Sequence, residues 1–138
     1  MHKINKVEVR NLQMEDYGQL AQSFTRVYAD KDVFWTREQI RKLVTIFPEG
    51  QIVTVVDGRI VGCALSIIVD YDTVKGDHTY AKVTGGETFD THTPNGNILY
   101  GIEVFIHPDY RGLRLARRMY DYRKELCEKL NLKAIMFG

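Results

Sequence analysis

Apolar side chains recur every three or four positions over residues 14–30, at Met14, Tyr17, Leu20, Ala21, Phe24, Val27 and Tyr28. That spacing collects them on one face of an α-helix. A second helix is predicted from about Thr36. Thr36 and Gln39 stand at capping-box spacing, where each side chain satisfies the other residue's backbone N–H. Ile40, Leu43, Val44 and Phe47 make its face, and Pro48 and Gly50 end it. A third stripe runs through Leu115, Met119, Tyr122, Leu126 and Leu130. Elsewhere the period shortens. Val7 and Val9 alternate with Glu8 and Arg10, a short half-buried strand. QIVTVVDGRIVGCALSIIVD, residues 51–70, predicts a hairpin, because Asp57-Gly58 tolerates the positive φ of a two-residue turn. ILYGIEVFI, residues 98–106, is apolar except for Glu103 and suits a central strand buried on both faces. LKAIMFG, residues 132–138, reads as one more buried strand. A strand, helix, strand ending predicts parallel neighbours, and the fold class is mixed α/β. Residues 72–97 carry neither period. They hold glycines, Thr, Asp, His and Pro94-Asn95-Gly96, and read as a long loop or insertion of the kind that often binds something.

Composition narrows the function classes. The 138 residues fit one domain with a real core, and 44% hydrophobic with 27% charged residues is ordinary for a soluble globular protein. A net charge of +1 gives no global field toward nucleic acid or an anionic membrane. No apolar run approaches the ~20 residues of a membrane span, and MHKINKVEVR lacks the apolar core of a signal peptide. Cys63 and Cys127 have no metal or redox spacing and read as small core fillers in a reduced, cytoplasmic protein. His78, His92 and His107 lack metal-ligand spacing and are assigned surface or turn roles, so no metal is expected. A chain that stops on a buried strand is expected to be a fragment of something longer. It would leave an exposed sheet edge at 133–138, open to a second copy or another chain.

The candidate chemistry lies in IHPDYRGLRLARRMY, residues 106–120. A strand handing over to a helix through a tight turn aims free N–H groups at one spot, and the helix dipole adds partial positive charge there, which favours phosphate. Gly112 lets a ligand approach the backbone. Arg111 and Arg114 can add charge-assisted contacts. The opposing reading is a solvated helix face, and Arg117, Arg118, Arg123 and Lys124 are assigned to it. Neither a Walker A sequence nor a dinucleotide GxGxxG is present.

The run VFIHPDYRGLRLA resembles the acetyl-CoA-binding motif of the GNAT N-acetyltransferases, Q/R-x-x-G-x-G/A at a helix start after a central strand. Arg111 and Ala116 match; Arg114 stands where the family prefers glycine. The order of elements also resembles that family, whose fold continues with a helix and two strands that are absent here. The text further resembles the acetyltransferase module fused ahead of a carbon–nitrogen hydrolase. The resemblance implies a GNAT-like acyl-CoA acyltransferase fold with acetyl-CoA as co-substrate. Backbone groups of Val104, Phe105 and Ile106 would pair with the pantetheine arm as an added strand does. N–H groups of Arg111, Gly112, Leu113, Arg114, Leu115, Ala116 and Arg117 would hold the pyrophosphate. The Arg114 side chain would either crowd it or turn outward to the adenosine 3′-phosphate.

The implied reaction is direct attack of a primary amine, small-molecule or protein-borne, on the thioester, which needs a base. Glu103 is one candidate, against the plainer reading of a groove glutamate or one paired with an arginine. Tyr100 occupies a family base position, although a phenol is a poor base at neutral pH. Family glutamates lie one or two residues upstream of Glu103, and an odd offset turns a side chain to the other face unless a bulge restores it. The family's general acid, often a tyrosine, would lie beyond the last strand. The alternatives are a non-catalytic CoA-binding sensor or docking module of a larger protein, such as a carbon–nitrogen hydrolase, and a partner-binding domain with no ligand. The 72–97 loop is expected to shape acceptor choice.

Overall fold

The computed structural model describes residues 6–28, 34–76 and 79–137, the side chains of Thr73 and Arg111 excepted. A five-stranded sheet runs in the order β1 (Val7–Asn11), β2 (Ile52–Val56), β3 (Arg59–Val69), β4 (Ile98–Ile106), β5 (Ala134–Phe137). Neighbours are antiparallel except β4 and β5, which are parallel. Helices α1 (Tyr17–Tyr28) and α2 (Arg37–Ile46) follow β1, and short helices α3 (Tyr71–Val74) and α4 (Tyr80–Thr84) lie between β3 and β4. Helix α5 (Leu115–Lys129) makes the crossover from β4 to β5.

Strands β2 and β3 are apolar almost throughout because helices cover both their faces. On one side Val53, Cys63, Leu65 and Ile67 pack with Leu20 and Phe24 of α1 and Ile40 and Leu43 of α2. On the other, Ala64 and Ile52 meet Met119, and Ile68 and Leu99 meet Leu126 and Cys127 of α5. Each such side chain contributes roughly 1.5–3 kcal/mol of burial free energy. The capping box forms as its spacing predicts. The Gln39 N–H donates to Thr36 Oγ1 at 3.1 Å and the Thr36 N–H to Gln39 Oε1 at 2.9 Å. Asp57 and Gly58 turn the hairpin at φ 50° and 81°.

Four readings need correction. Residues 72–97 are not a plain loop. Besides α3 and α4, Val74, Val83 and Phe89 are each 1% exposed or less and pin the segment to the α1/α2 core. Those anchors are too far apart to show a period. LKAIMFG is less buried than predicted: among the described residues β5 pairs with β4 alone, and Phe137 is 54% exposed. β4 is buried from Ile98 to Gly101 and, Phe105 apart, opens from Ile102 onward. Arg123, assigned to the solvated face, is buried. It stands four residues after Met119 and three before Leu126, inside the stripe that faces the sheet. His78 and Gly138 lie outside the described residues. Among the described residues, no helix is long and apolar enough to cross a membrane.

Candidate active site

The middle of β4 departs from regular pairing. Leu65 of β3 stands opposite Glu103, yet the next residue, Ser66, stands opposite Gly101, so Ile102 is an extra residue, a β-bulge. In strict alternation Glu103 would share a face with Gly101 and point away from Tyr100. The bulge resets the count. Tyr100 and Glu103 both emerge on the α1/α2 face, in line with Ile67 and Leu65.

Glu103 there borders a cavity of about 390 Å³, whose wall includes Phe24, Tyr28, Phe34 and Trp35 together with Gln39 and Glu87. The rings form a continuous surface, with Phe24 centroids 4.6 Å from Tyr28, 5.1 Å from Phe34 and 5.2 Å from Phe105. Trp35 Nε1 donates to Glu103 Oε1 at 3.2 Å and orients the carboxylate. The Tyr80 hydroxyl donates to Glu87 Oε2 at 3.4 Å. Burial, then the negative charges of Glu87 and Glu103, push the Tyr80 phenol up, so it stays protonated. Tyr100 is fully buried, and burial pushes its phenol up as well. Both phenols are thus held in the protonated form at neutral pH.

Trp35, Tyr80 and Glu87 escaped the sequence reading. The available signal for Glu87 was Gly85-Gly86 just before it, since Gly85, Gly86, Glu87 and Phe89 all adopt positive φ. Such a backbone path aims a side chain that loop polarity alone cannot place.

Among the described residues, the far edge of β4 is open beyond Gly101. Pairing with β5 ends at Gly101 opposite Phe137, and no described strand flanks Ile102 to Ile106 on that side. Val104 is 45% exposed along this edge, while Phe105 is buried in the α1/α2 core and Ile106 packs toward Met119 and Leu115. A second cavity of about 350 Å³ lies here, between Tyr28, Val104 and Ile106 and the start of α5 at Arg114, Leu115 and Ala116. Tyr28 borders both cavities, so they adjoin at the β4 edge.

A 3₁₀ turn, Pro108–Leu113, leads into α5. The first intrahelical bond runs from the Arg118 N–H to the Arg114 carbonyl at 3.1 Å. The N–H groups of Leu115, Ala116 and Arg117 therefore lack the i−4 acceptor of a helix interior. No side chain caps this terminus and its first turn holds no acidic residue, so the positive end of the dipole is uncompensated. Arg114, the N-cap, takes φ 57° and ψ 37°, a left-handed conformation that only glycine adopts without strain. That requirement accounts for the glycine this position carries in the motif. At Gly112 a Cβ would meet no described atom within 4 Å.

The remaining sequence assignments fall out simply. Arg117 pairs with Asp121 at 3.2 Å on the surface. His107 Nδ1 accepts from the Asp109 N–H at 3.2 Å, a turn role. His92 stacks on Phe47 at 5.2 Å and accepts from the Ile68 N–H at 3.0 Å, a structural role. Cys63 and Cys127 are buried. The Arg111 side chain lies outside the described residues. Among the described residues, no group of three or more His, Cys, Asp or Glu is arranged to hold a metal ion.

The sequence profile of the acetyltransferase (GNAT) family matches residues 7–138. Two proteins of Bacillus subtilis (strain 168) are similar to the chain. One, named probable hydrolase YhcX, is 33% identical over 96% of the chain and 26% of its own length. The other, named uncharacterized N-acetyltransferase YkwB, is 29% identical over 78% of the chain and 48% of its own length. The chain thus spans under half of either relative. The first match accords with the resemblance to a module carried in a larger hydrolase. Among solved structures, the aminoglycoside N-acetyltransferase AAC(6′)-Iy in complex with CoA shares the fold, with a TM-score of 0.66 at 9% identity over 100% of this chain and 80% of that one.

Proposed function

The chain belongs to the acetyltransferase (GNAT) family, and on that premise we propose that it transfers an acetyl group from acetyl-CoA to a primary amine. The observation that carries this reading is the β4 bulge. It sets an acidic, aromatic cavity on one side of the strand against an open strand edge and an uncapped helix start on the other. The pantetheine arm lies along Val104, Phe105 and Ile106 as an added strand. The pyrophosphate takes the N–H groups from Arg111 through Gly112, Leu113, Arg114, Leu115 and Ala116 to Arg117, where the α5 dipole stabilises its charge. The thioester then reaches the bulge, beside the 390 Å³ cavity that Glu103 borders.

The amine enters through that cavity. Among the described residues its lining offers the carboxylates of Glu87 and Glu103, which suit a cationic acceptor, and the ring faces suit an ammonium and its alkyl stem. Glu103 takes the proton of the ammonium, directly or through one water. The nitrogen lone pair attacks the thioester carbonyl, the tetrahedral adduct collapses, the C–S bond breaks and the CoA thiolate leaves; the proton that the acylated nitrogen sheds passes through water to that thiolate. A catalytic metal is not part of this scheme.

Release of free thiol from acetyl-CoA across a panel of mono- and diamines tests the reading. Turnover should depend on amine, and Glu103→Gln should lower kcat by roughly 10²–10⁴-fold, the usual worth of a general base. The KM for acetyl-CoA should hardly move. A second reading, a CoA-binding sensor or docking module of a larger protein, is favoured by the match to 26% of a protein named as a hydrolase. It predicts saturable CoA binding with no turnover for any amine.

A further inference from the structure

Arg123 carries a charge that acetyl transfer leaves unused. It is 3% exposed, on the α5 side of the sheet. The thiols of Cys63 and Cys127 lie near it. Burial brings its pKa down to about 10, and it remains a cation at neutral pH. Nη2 donates to the Leu65 carbonyl at 2.9 Å, while the buried Nε has no hydrogen-bond partner among the described residues. Burying a guanidinium that has no salt bridge among the described residues is costly, and such cost calls for a reason.

The reason lies in what Leu65 is. The β3–β4 register shifts between Leu65 and Ser66, the two residues that face Glu103 and Gly101 across the bulge. An extra residue in one strand disrupts the ladder locally, and a backbone acceptor there needs another donor. Arg123 supplies it, through a charge-assisted bond stronger than a neutral one. Gly101 makes room for the guanidinium. A Cβ there would lie 3.3 Å from Arg123 Nη1 and 2.5 Å from the Phe137 ring, which the guanidinium also faces at 5.7 Å. Arg123, Phe137 and Gly101 thus fill the α5 side of the bulge, while Glu103 emerges on the opposite side. If the bulge relaxed, strict alternation would carry Glu103 out of the amine cavity.

We infer that Arg123 is a positioning residue for Glu103: it clamps the β3–β4 bulge from the α5 face and thereby holds the Glu103 carboxylate in the amine cavity. Its catalytic consequence rests on the acetyl-transfer reading; the structural link does not.

The test exploits Trp35, the only tryptophan in the chain, whose single indole N–H bonds Glu103. In ligand-free protein the indole N–H cross-peak in a ¹H–¹⁵N spectrum should move in Glu103→Gln, because its acceptor changes. Arg123→Met should move the same peak as well. Arg123→Lys, which keeps a charged donor, should move it less, and it stands in for Met if that variant does not fold. With acetyl-CoA and an accepted amine, Arg123→Met should lose roughly 10–100-fold in kcat, the scale of a 1 Å misplacement. The KM for acetyl-CoA should stay within about twofold, with partial recovery in Lys. A folded Arg123 variant with the wild-type indole position and wild-type kcat overturns the inference. Absence of acetyl transfer in the wild type would instead overturn the functional reading and leave the indole result standing.

Discussion

Arg114 is the residue whose backbone and side chain disagree most. At φ 57° it holds a left-handed conformation that costs an L-residue roughly 1–2 kcal/mol, partly offset by the entropy a glycine would lose. Arg114→Gly is therefore expected to stabilise the ligand-free chain by about 0.5 kcal/mol, a rise of about 2 °C by thermal melting. The motif showed a missing glycine; only the backbone shows what the glycine was for. His92 makes a prediction of another kind. Burial holds its imidazole below the ordinary value of 6.5. The unfolded chain then takes up a proton that the native state refuses, so this contribution to stability is complete above about pH 6.5 and declines as the pH falls toward the depressed native value. Urea unfolding between pH 7.5 and 5.5 should show that decline, and His92→Gln should flatten it. At this scale the sequence was readable where the chemistry is local, as at Asp57-Gly58 and Thr36. It assigned His92 a surface or turn role, because the partner that fixes it, Ile68, is 24 residues away and leaves no local mark.

At the scale of elements, β4 was legible as a strand and not as a site. Its apolar run predicts burial on both faces, but Ile102 is an extra residue only relative to β3, and pairing between distant segments leaves no periodic mark on either one. The face of Glu103 could not be settled before that register was known. Arg123 shows the reverse failure. Its position in the α5 stripe was visible, yet its charge outweighed its spacing in the reading. The α5 start yields a prediction because Gly112 has no steric duty toward the described residues. Gly112→Ala should leave the melting temperature within about 1 °C while weakening CoA binding about tenfold or more, the worth of one good hydrogen bond to a charged group. Calorimetric titration alongside a thermal melt separates the two effects.

For the molecule as a whole, the order of elements carried most of the fold, because two helices, a hairpin and a strand–helix–strand unit leave few ways to cover both faces of one sheet. The site is assembled at its centre from α1, the α2 approach, the β3–β4 connection and β4, and that convergence is what a linear pattern hides. The central claim is that the uncompensated start of α5 is built for the phosphates of CoA. Ala116 tests it most directly, since it is exposed, in the first turn of that helix and beside the 350 Å³ cavity. Titrating CoA calorimetrically into wild type and Ala116→Glu is the decisive measurement. A carboxylate there complements the helix dipole, so the variant should melt at the wild-type temperature or higher. It should bind CoA about 100-fold more weakly, because the introduced charge occupies and repels the phosphate position. Equal CoA affinity in the two proteins, or no saturable binding by the wild type, would contradict the account.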